Sequence, residues 1–269
     1  MLVIFTDLDG TLLDHRSYAS EAAGEALEQI RNAGIPLVFT TSKTRAEVEF
    51  WREKLGNADP YIVENGGAAI VPRGYFPVAV PEVTQFGDDY ASLVRALAFA
   101  SRESGVAVRG FHEMTTEEVA AACDLPLDQA RLAKQREYDE PFVVRGEGDP
   151  HRLTQSIEAR GKLWTRGGRF YHIMGNNDKA AAVKYLTGHY RRTYGGVRTI
   201  GAGDGWNDVS FLHVVDFPVL ICPASDRRLR SSVPGARVPR SLGPAGWNEA
   251  VLELLAELTS LMRTERQFP

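Results

Sequence analysis

The stretch MLVIFTDLDGTLL (residues 1–13) places two aspartates, Asp7 and Asp9, directly after an apolar run. The run from Leu2 to Phe5 is typical of a strand that is buried on both faces. A carboxylate at the end of such a strand is costly unless a cation, a metal ion or hydrogen-bond donors offset its charge. The stretch therefore predicts a core strand that ends in a charged site.

Strands and helices alternate along the chain from this stretch onward. The pattern predicts a helix over 20–33, a strand over 35–41 and a helix that opens with the capping box Thr44 to Glu47. A third strand ends in ENGG (residues 64–67), and the same rhythm returns from Asp178. This order favours the α/β class, with a Rossmann-like doubly wound parallel sheet.

The middle of the chain has a different pattern. Charged, glycine-punctuated strands and helices fill residues 82–175, which predicts an α+β module within the sheet domain. We call this module the insert. We therefore expect three segments: the first part of the sheet domain over 1–81, the insert over 82–175 and the second part of the sheet domain over 176–269.

Composition argues against several kinds of partner. The net charge of −4 over 269 residues gives no basic footprint, so we expect no nucleic-acid partner. No apolar run approaches the roughly 20 residues of a membrane helix, and no secretory leader precedes the first strand. The two cysteines form no paired motif. These features predict a cytoplasmic protein without a membrane partner and leave its oligomeric state open.

Polar side chains stand at the carboxyl ends of the predicted strands, where ligands bind in open α/β sheets. These residues are Asp7, Asp9, Thr41, Ser42, Lys43, Asn65, Gly66, Asp204, Asn207 and Asp208, and Lys179 opens the helix after the insert. Four bare carboxylates would repel one another, so we expect Mg²⁺, which prefers oxygen ligands and substrate phosphate. Together they predict a phosphate-handling site that holds a metal.

Four motifs resemble the phosphatase branch of the haloacid dehalogenase superfamily: DLDGT (7–11), a strand that ends at Ser42, Lys179, and GDGWND (203–208). The resemblance implies that Asp7 is the nucleophile and forms an aspartyl-phosphate. It implies that Asp9 protonates the leaving oxygen and then activates water. Ser42 and Lys179 would stabilise the transferring phosphoryl group, with Thr41 as the alternative to Ser42.

The resemblance also implies how the metal is held. Mg²⁺ would bind the Asp7 carboxylate, the Asp9 main-chain carbonyl and Asp204, with Asp208 in support. The insert would be the α+β cap of this family, which selects the leaving group. We expect Trp206 to pack under its loop rather than to contact substrate.

Further stretches resemble a narrower family, the mannosyl-3-phosphoglycerate phosphatases: TTSKTRAEV (40–48), QREYDEPFV (135–143) and GGRFYHIMG (167–175). The resemblance implies hydrolysis of mannosyl-3-phosphoglycerate, and possibly of glucosyl-3-phosphoglycerate, to a glycosyl-glycerate and phosphate. The substrate would be a small phosphorylated sugar-glycerate that carries a carboxylate. The candidates for binding it are Lys43, Arg45, Asn65, Gly66 and Asn207 in the sheet domain, and Gln135, Arg136, Glu140, Arg166, Gly167, Gly168, Arg169 and His172 in the insert.

Among these candidates, Arg136, Arg166 and Arg169 are cations for the substrate carboxylate. Gln135, Glu140 and His172 are polar groups for sugar hydroxyls. Each has an alternative interpretation as an ordinary surface or packed residue.

Two other functions fit the same motifs. A phosphatase for another sugar phosphate, or a phosphomutase, would share the sheet domain and differ in the insert. A non-catalytic sugar-phosphate-binding protein would be expected to lack the nucleophile or a metal ligand, and this chain keeps every one.

Overall fold

The computed structural model of the protein describes residues 1–167 and 170–265, so the predicted site residues Gly168 and Arg169 lie outside the described part. The strands are β1 (Leu2–Thr6), β2 (Leu37–Thr40), β3 (Tyr61–Val63), β4 (Ala68–Ile70), β5 (Val83–Gln85), β6 (Val108–Gly110), β7 (Asp139–Val144), β8 (Leu163–Gly167), β9 (Phe170–Met174), β10 (Arg198–Gly203) and β11 (Phe217–Leu220).

The helices follow the predicted order. They are α1 (Gly24–Asn32), α2 (Arg45–Leu55), α3 (Tyr90–Ser104), α4 (Thr116–Cys123), α5 (Leu127–Ala133), α6 (Pro150–Ala159), α7 (Lys179–Tyr194), α8 (Val209–Leu212), α9 (Arg227–Ser232) and α10 (Gly243–Glu265). A short 3-10 turn, Glu21–Ala23, precedes α1 within the span predicted as one helix. Among the helices described, none combines the length and the apolar character that crossing a membrane requires.

The chain forms two compact units, the first made of residues 1–38 together with the described residues from 194 onward. In this unit β1 pairs in parallel with β10, and β10 pairs in parallel with β11. Val3, Ile4 and Phe5 of β1 are fully buried, as their apolar run predicts. The helices α1 and α10 pack together, and Trp247 of α10 donates from Nε1 to Thr6 Oγ1 at 3.0 Å. The hydrogen bond ties α10 to the end of β1.

Residues 39–193 form the second unit, which contains the end of β2. There β2 pairs in parallel with β3, while β4 and β5 continue the strand order in antiparallel fashion. The capping box of α2 is confirmed: Thr44 Oγ1 accepts from Glu47 N at 3.1 Å, and Glu47 Oε2 accepts from Thr44 N at 2.9 Å. The strand β5 pairs with β4, although the sequence analysis assigned residues 83–85 to the insert.

The insert contains a four-stranded antiparallel sheet in the order β6, β7, β9, β8. The helices α3 and α6 cover one face of this sheet, where Phe142 and Ile173 are fully buried. A second cluster gathers Val143 and Phe170 of the other face with residues of α4 and α5. The α/β class with an inserted α+β module is thus confirmed, and the boundaries of the three segments stay predictions.

The two chain segments that enter and leave the insert lie against each other. A Cβ on Gly175 would stand 2.5 Å from Asp88 N, and a Cβ on Gly87 would stand 2.2 Å from Asn177 Oδ1. A side chain at either glycine would force these two connections apart, so glycine permits their close approach.

Candidate active site

Three carboxylates come together in the first unit. Asp7 follows β1, Asp204 follows β10 and Asp208 directly precedes α8. One ligand atom from each of the three lies within 4.8 Å of the others. Asp7 and Asp208 are buried, and Asp204 is half-buried. The structure thus brings together three of the four carboxylates that the sequence predicted at these strand ends, and their role in binding a metal stays a prediction.

The main chain around this cluster holds Asp204 in place. Asp208 Oδ2 accepts hydrogen bonds from Asp204 N and Gly205 N, both at 3.0 Å. Gly10 has a φ of +78°, and a Cβ there would lie 2.3 Å from Asp204 Oδ2. Only glycine fits this position, because both its backbone conformation and the adjacent carboxylate exclude a side chain.

The donor set of the cluster suits a hard divalent cation. Three carboxylates offer oxygen ligands, and two of them are withdrawn from solvent, where like charges are costly without a cation. Asp9 is half-buried and its carboxylate is not one of the three. The expectation that Asp9 transfers protons while its main-chain carbonyl binds the metal stays a prediction.

In the loop after β10, the environment of Trp206 differs from the predicted one. Trp206 is 49% exposed, and the Arg228 guanidinium lies 5.3 Å from its ring centroid. The expectation that Trp206 packs under its loop is wrong, since a cation–π contact with α9 holds the indole at the surface. A Cβ on Gly205 would lie 2.6 Å from Oδ1 of Asn207. The side chain of Asn207, which is half-buried, therefore packs against the main chain of the same loop.

In the second unit, Thr41 and Ser42 of the loop after β2 have different surroundings. Thr41 is fully buried, and its Oγ1 accepts from Lys43 N at 3.2 Å. Ser42 is half-buried, and neither its N–H nor its hydroxyl makes a hydrogen bond within residues 1–167 and 170–265. Ser42 therefore has the donors that an anion needs, whereas the Thr41 hydroxyl is fully buried and accepts a hydrogen bond within the loop.

The loop after β3 has an unusual backbone. Glu64, Asn65 and Gly66 have φ values of +48°, +58° and +88°. A Cβ on Gly66 would lie 2.4 Å from the Asp178 carbonyl carbon and 2.5 Å from Lys179 N. Gly66 is thus buried against the start of α7 and helps to place Lys179, which is only 1% exposed.

Glu64 is a buried carboxylate that the sequence analysis did not select. Its Oε1 accepts from Glu137 N at 2.9 Å and its Oε2 from Tyr138 N at 2.8 Å. Asn177 Nδ2 joins the two segments by donating to the carbonyl oxygens of Glu64 and Tyr138, at 2.9 and 2.8 Å. Burial raises the pKa of Glu64 to about 8, although Arg136 acts in the opposite direction.

We expect Glu64→Gln to change both the stability of the protein and its dependence on pH. The amide nitrogen would face a main-chain N–H, so the variant should lose about 1–3 kcal/mol in the free energy of unfolding near pH 6. The pKa of Glu64 is raised to about 8 in the folded protein. The stability that protonated Glu64 contributes is therefore complete below the pKa of Glu64 in the unfolded chain, and it is lost as pH rises through 8. The difference between wild type and variant should therefore shrink from pH 5 to pH 9.

Urea denaturation at pH 5, 7 and 9 measures this difference. Glu53→Gln on the exposed side of α2 is the matched control and should not change the pH dependence. A constant difference between wild type and Glu64→Gln across this range would contradict the assignment.

Asp139 contacts two of the predicted binding residues. Like Glu64, it was not among the residues predicted from the sequence. It is fully buried, and it accepts from Asn65 Nδ2 at 2.9 Å and contacts His172 Nδ1 at 2.9 Å. Burial alone would raise the pKa of Asp139, yet His172 and Arg136 outweigh burial and hold it below its ordinary value. The His172 Nε2 makes no hydrogen bond within the described part of the chain, so this atom is available to a ligand.

Two other candidates lie on the opposite face of the same sheet. Cross-strand partners share a face, and Glu140 is paired with Ile173 whereas Arg166 is paired with Tyr171. That face is the one covered by α3 and α6. Glu140 accepts from Tyr90 Oη at 2.6 Å, and the Arg166 guanidinium stacks 5.1 Å from the Tyr171 ring centroid. Neither residue shares a face of the sheet with His172.

The basic candidates near α2 are engaged by acidic residues. Arg45 Nε lies 3.0 Å from Glu137 Oε1, and Lys43 Nζ lies 3.6 Å from Glu47 Oε1. Gln135 is exposed, and Gly167 ends β8 opposite Phe170. Their predicted contacts with substrate stay predictions.

Arg136 has a different environment from the one expected of a substrate cation. Its guanidinium donates to Ala133 O at 3.0 Å and to Ser42 O at 2.9 Å. Burial disfavours its charge, but Asp139 and Glu64 outweigh burial and raise the pKa of Arg136 above its ordinary value. The protein's own carboxylates therefore compensate this cation.

The two missed carboxylates had a signal in the sequence. Glu64 and Asp139 each stand at one end of an apolar strand, in YIVENGG and YDEPFVV, where a carboxylate needs a partner. The same reasoning that selected Asp7 applied to both. Their partners come from distant parts of the chain, which the sequence pattern does not indicate.

Comparison with known proteins assigns this chain to a family. Residues 4–76 match the family model of the haloacid dehalogenase-like hydrolases. The glucosyl-3-phosphoglycerate/mannosyl-3-phosphoglycerate phosphatase of Persephonella marina is 40% identical over 266 residues, covering 96% of this chain and 98% of that protein. The mannosyl-3-phosphoglycerate phosphatase of Pyrococcus furiosus is 40% identical over 227 residues, covering 81% of this chain and 90% of that protein.

Solved structures agree in fold at lower identity. A haloacid dehalogenase subclass IIB sugar phosphatase superposes with a TM-score of 0.65 at 17% identity, over 96% of this chain and 99% of that one. The sucrose-phosphatase of a Synechocystis species superposes with a TM-score of 0.61 at 14% identity, over 95% and 97%. With similarity to the Persephonella protein that extends over nearly the whole of both sequences, the chain belongs to the haloacid dehalogenase-like hydrolase family.

Proposed function

We propose that the protein is a Mg²⁺-dependent phosphatase that hydrolyses mannosyl-3-phosphoglycerate, and also glucosyl-3-phosphoglycerate, to the glycosyl-glycerate and phosphate. The observation that carries the proposal is the cluster of Asp7, Asp204 and Asp208 at the ends of β1 and β10. The choice of substrate rests on the names of the relatives that are 40% identical to this chain.

In this mechanism Asp7 is the nucleophile. Its carboxylate attacks phosphorus, the bond from phosphorus to the leaving oxygen breaks, and Asp9 delivers a proton to that oxygen. Asp9 then takes a proton from water, which attacks the aspartyl-phosphate, releases inorganic phosphate and restores Asp7. The two carboxylates differ in burial, because Asp7 is buried and Asp9 is half-buried. This difference is consistent with a nucleophilic role for Asp7 and a proton-transfer role for Asp9.

The metal would be held by Asp7, Asp204 and the main-chain carbonyl of Asp9. When bound, Mg²⁺ neutralises negative charge on the phosphate oxygens. Asp208 keeps Asp204 in position through the loop bonds described above. Ser42 would bind a phosphate oxygen through its N–H and hydroxyl, and Lys179 would supply a positive charge to the phosphoryl group.

His172 is the candidate in the insert that the geometry favours for contact with the substrate. Asp139 orients its ring through Nδ1 and leaves Nε2 for a sugar hydroxyl or a carboxylate oxygen.

A panel of phosphate esters tests the substrate. We expect the two glycosyl-3-phosphoglycerates to be hydrolysed with a kcat/KM at least about 100-fold above that for sucrose- and trehalose-type phosphates, because a polar site rejects ligands that leave its groups unpaired. Release of inorganic phosphate is the measurement, with Mg²⁺ present and with a chelator as control. Phosphate that moves between positions of a sugar without release would identify a phosphomutase instead.

A further inference from the structure

The loop that carries Ser42 is held from two sides. Within the sheet part of the second unit, Asn65 N donates to Thr41 O and Glu64 N donates to Lys43 O, both at 3.0 Å. The carbonyl between them, Ser42 O, takes its hydrogen bond from the insert, where Arg136 Nη1 donates at 2.9 Å. The peptide plane from Ser42 to Lys43 is thus oriented by a residue of the insert.

Arg136 is itself held firmly enough to orient this carbonyl. Its Nε donates to Ala133 O at 3.0 Å, and its guanidinium carbon lies 5.9 Å from the Phe111 ring centroid. The flanking main chain is anchored on both sides, by Thr44 Oγ1, which donates to Leu132 O at 2.9 Å, and by the Glu64 carboxylate. A planar guanidinium makes both directed donations, which a single lysine ammonium on a flexible stem cannot reproduce.

We propose that Arg136 is a positioning residue that makes the phosphate-binding geometry of Ser42 depend on the segment 132–138 of the insert. The proposal rests on the proposed function, in which Ser42 binds phosphate. It replaces the expectation that Arg136 binds the substrate carboxylate. Its consequence is specific: loss of the Arg136 guanidinium weakens the binding of any phosphate group, whether or not the molecule carries a carboxylate or a sugar.

Kinetics with two substrates separate this role from the alternatives. The variants are Arg136→Lys and Arg136→Met, and Arg131→Gln on the exposed side of α5 is the matched control. We expect kcat/KM to fall about 10- to 100-fold for both mannosyl-3-phosphoglycerate and para-nitrophenyl phosphate, as loss of one hydrogen bond to a charged group does. The control should keep wild-type values for both.

A large rise in KM for mannosyl-3-phosphoglycerate with unchanged turnover of para-nitrophenyl phosphate would overturn the proposal, because it would make Arg136 a carboxylate ligand. A lower unfolding temperature with unchanged kinetics of the folded enzyme would overturn it as well, because Arg136 would then act on stability alone.

Binding of inorganic phosphate keeps the proposal testable if the assigned substrate is wrong. Calorimetry with Mg²⁺ present should give a Kd for phosphate about 10-fold weaker in Arg136→Lys than in wild type and in Arg131→Gln. Failure of wild type to hydrolyse mannosyl-3-phosphoglycerate would reject the proposed substrate without changing this comparison. Equal phosphate affinity in all three proteins would reject the role of Arg136.

Discussion

Asp7→Asn should abolish phosphate release, with kcat lower by on the order of 10⁴-fold or more, as removal of a catalytic nucleophile does in other enzymes. Asparagine keeps the shape of the side chain and the main-chain bond from Asp7 N to Ala202 O at 2.8 Å. It removes the charge that attacks phosphorus, so no aspartyl-phosphate can form. Release of inorganic phosphate from mannosyl-3-phosphoglycerate measures the effect.

The control for this variant is Glu28→Gln, which removes a carboxylate charge from the exposed side of α1. It should keep wild-type kcat, while Asp7→Asn should keep the wild-type circular dichroism spectrum. Substantial phosphate release by a correctly folded Asp7→Asn enzyme would reject Asp7 as the nucleophile.

Removal of the metal should have an effect of similar size. We expect a chelator to eliminate activity and added Mg²⁺ to restore it, because three converging carboxylates repel a phosphate group unless a divalent cation offsets their charge. Asp204→Asn should raise the Mg²⁺ concentration for half-maximal activity at least about 10-fold, since it removes one of three converging charges. Titration of activity with Mg²⁺ is the measurement.

Glu28→Gln is again the control and should show the wild-type Mg²⁺ requirement. Full activity in the presence of chelator, or an unchanged Mg²⁺ titration in Asp204→Asn, would reject the cluster as the Mg²⁺ site.

Local patterns predicted a large part of this molecule. The apolar run of β1 indicated a buried strand, and the pair Thr44 and Glu47 indicated the start of α2. Both features depend on neighbours within a few residues along the chain, which is the range over which a sequence pattern is informative. The grouping of Asp7 with Asp204 and Asp208 was also predictable, because carboxyl ends of parallel strands meet at one edge.

The choice among the binding candidates was less predictable. His172 and Arg166 lie on neighbouring strands of one sheet, and both were candidates for substrate contact as polar residues of the insert. Their pairing partners place them on opposite faces, and a shift in register of one residue would exchange those faces. Register is a property of the paired strands, so no pattern within a single strand could select His172.

The sequence by itself determined that polar and acidic residues end the core strands and that α/β alternation surrounds an α+β insert. Only the tertiary structure decided which groups satisfy the buried ionisable side chains. Glu64 takes its hydrogen bond from Tyr138 N, which is 74 positions away, and Arg136 donates to Ser42 O, which is 94 positions away. A buried polar or charged group requires a partner, but the chain's path in space determines which distant group provides it, because hydrogen bonds act over about 3 Å whatever the separation in sequence.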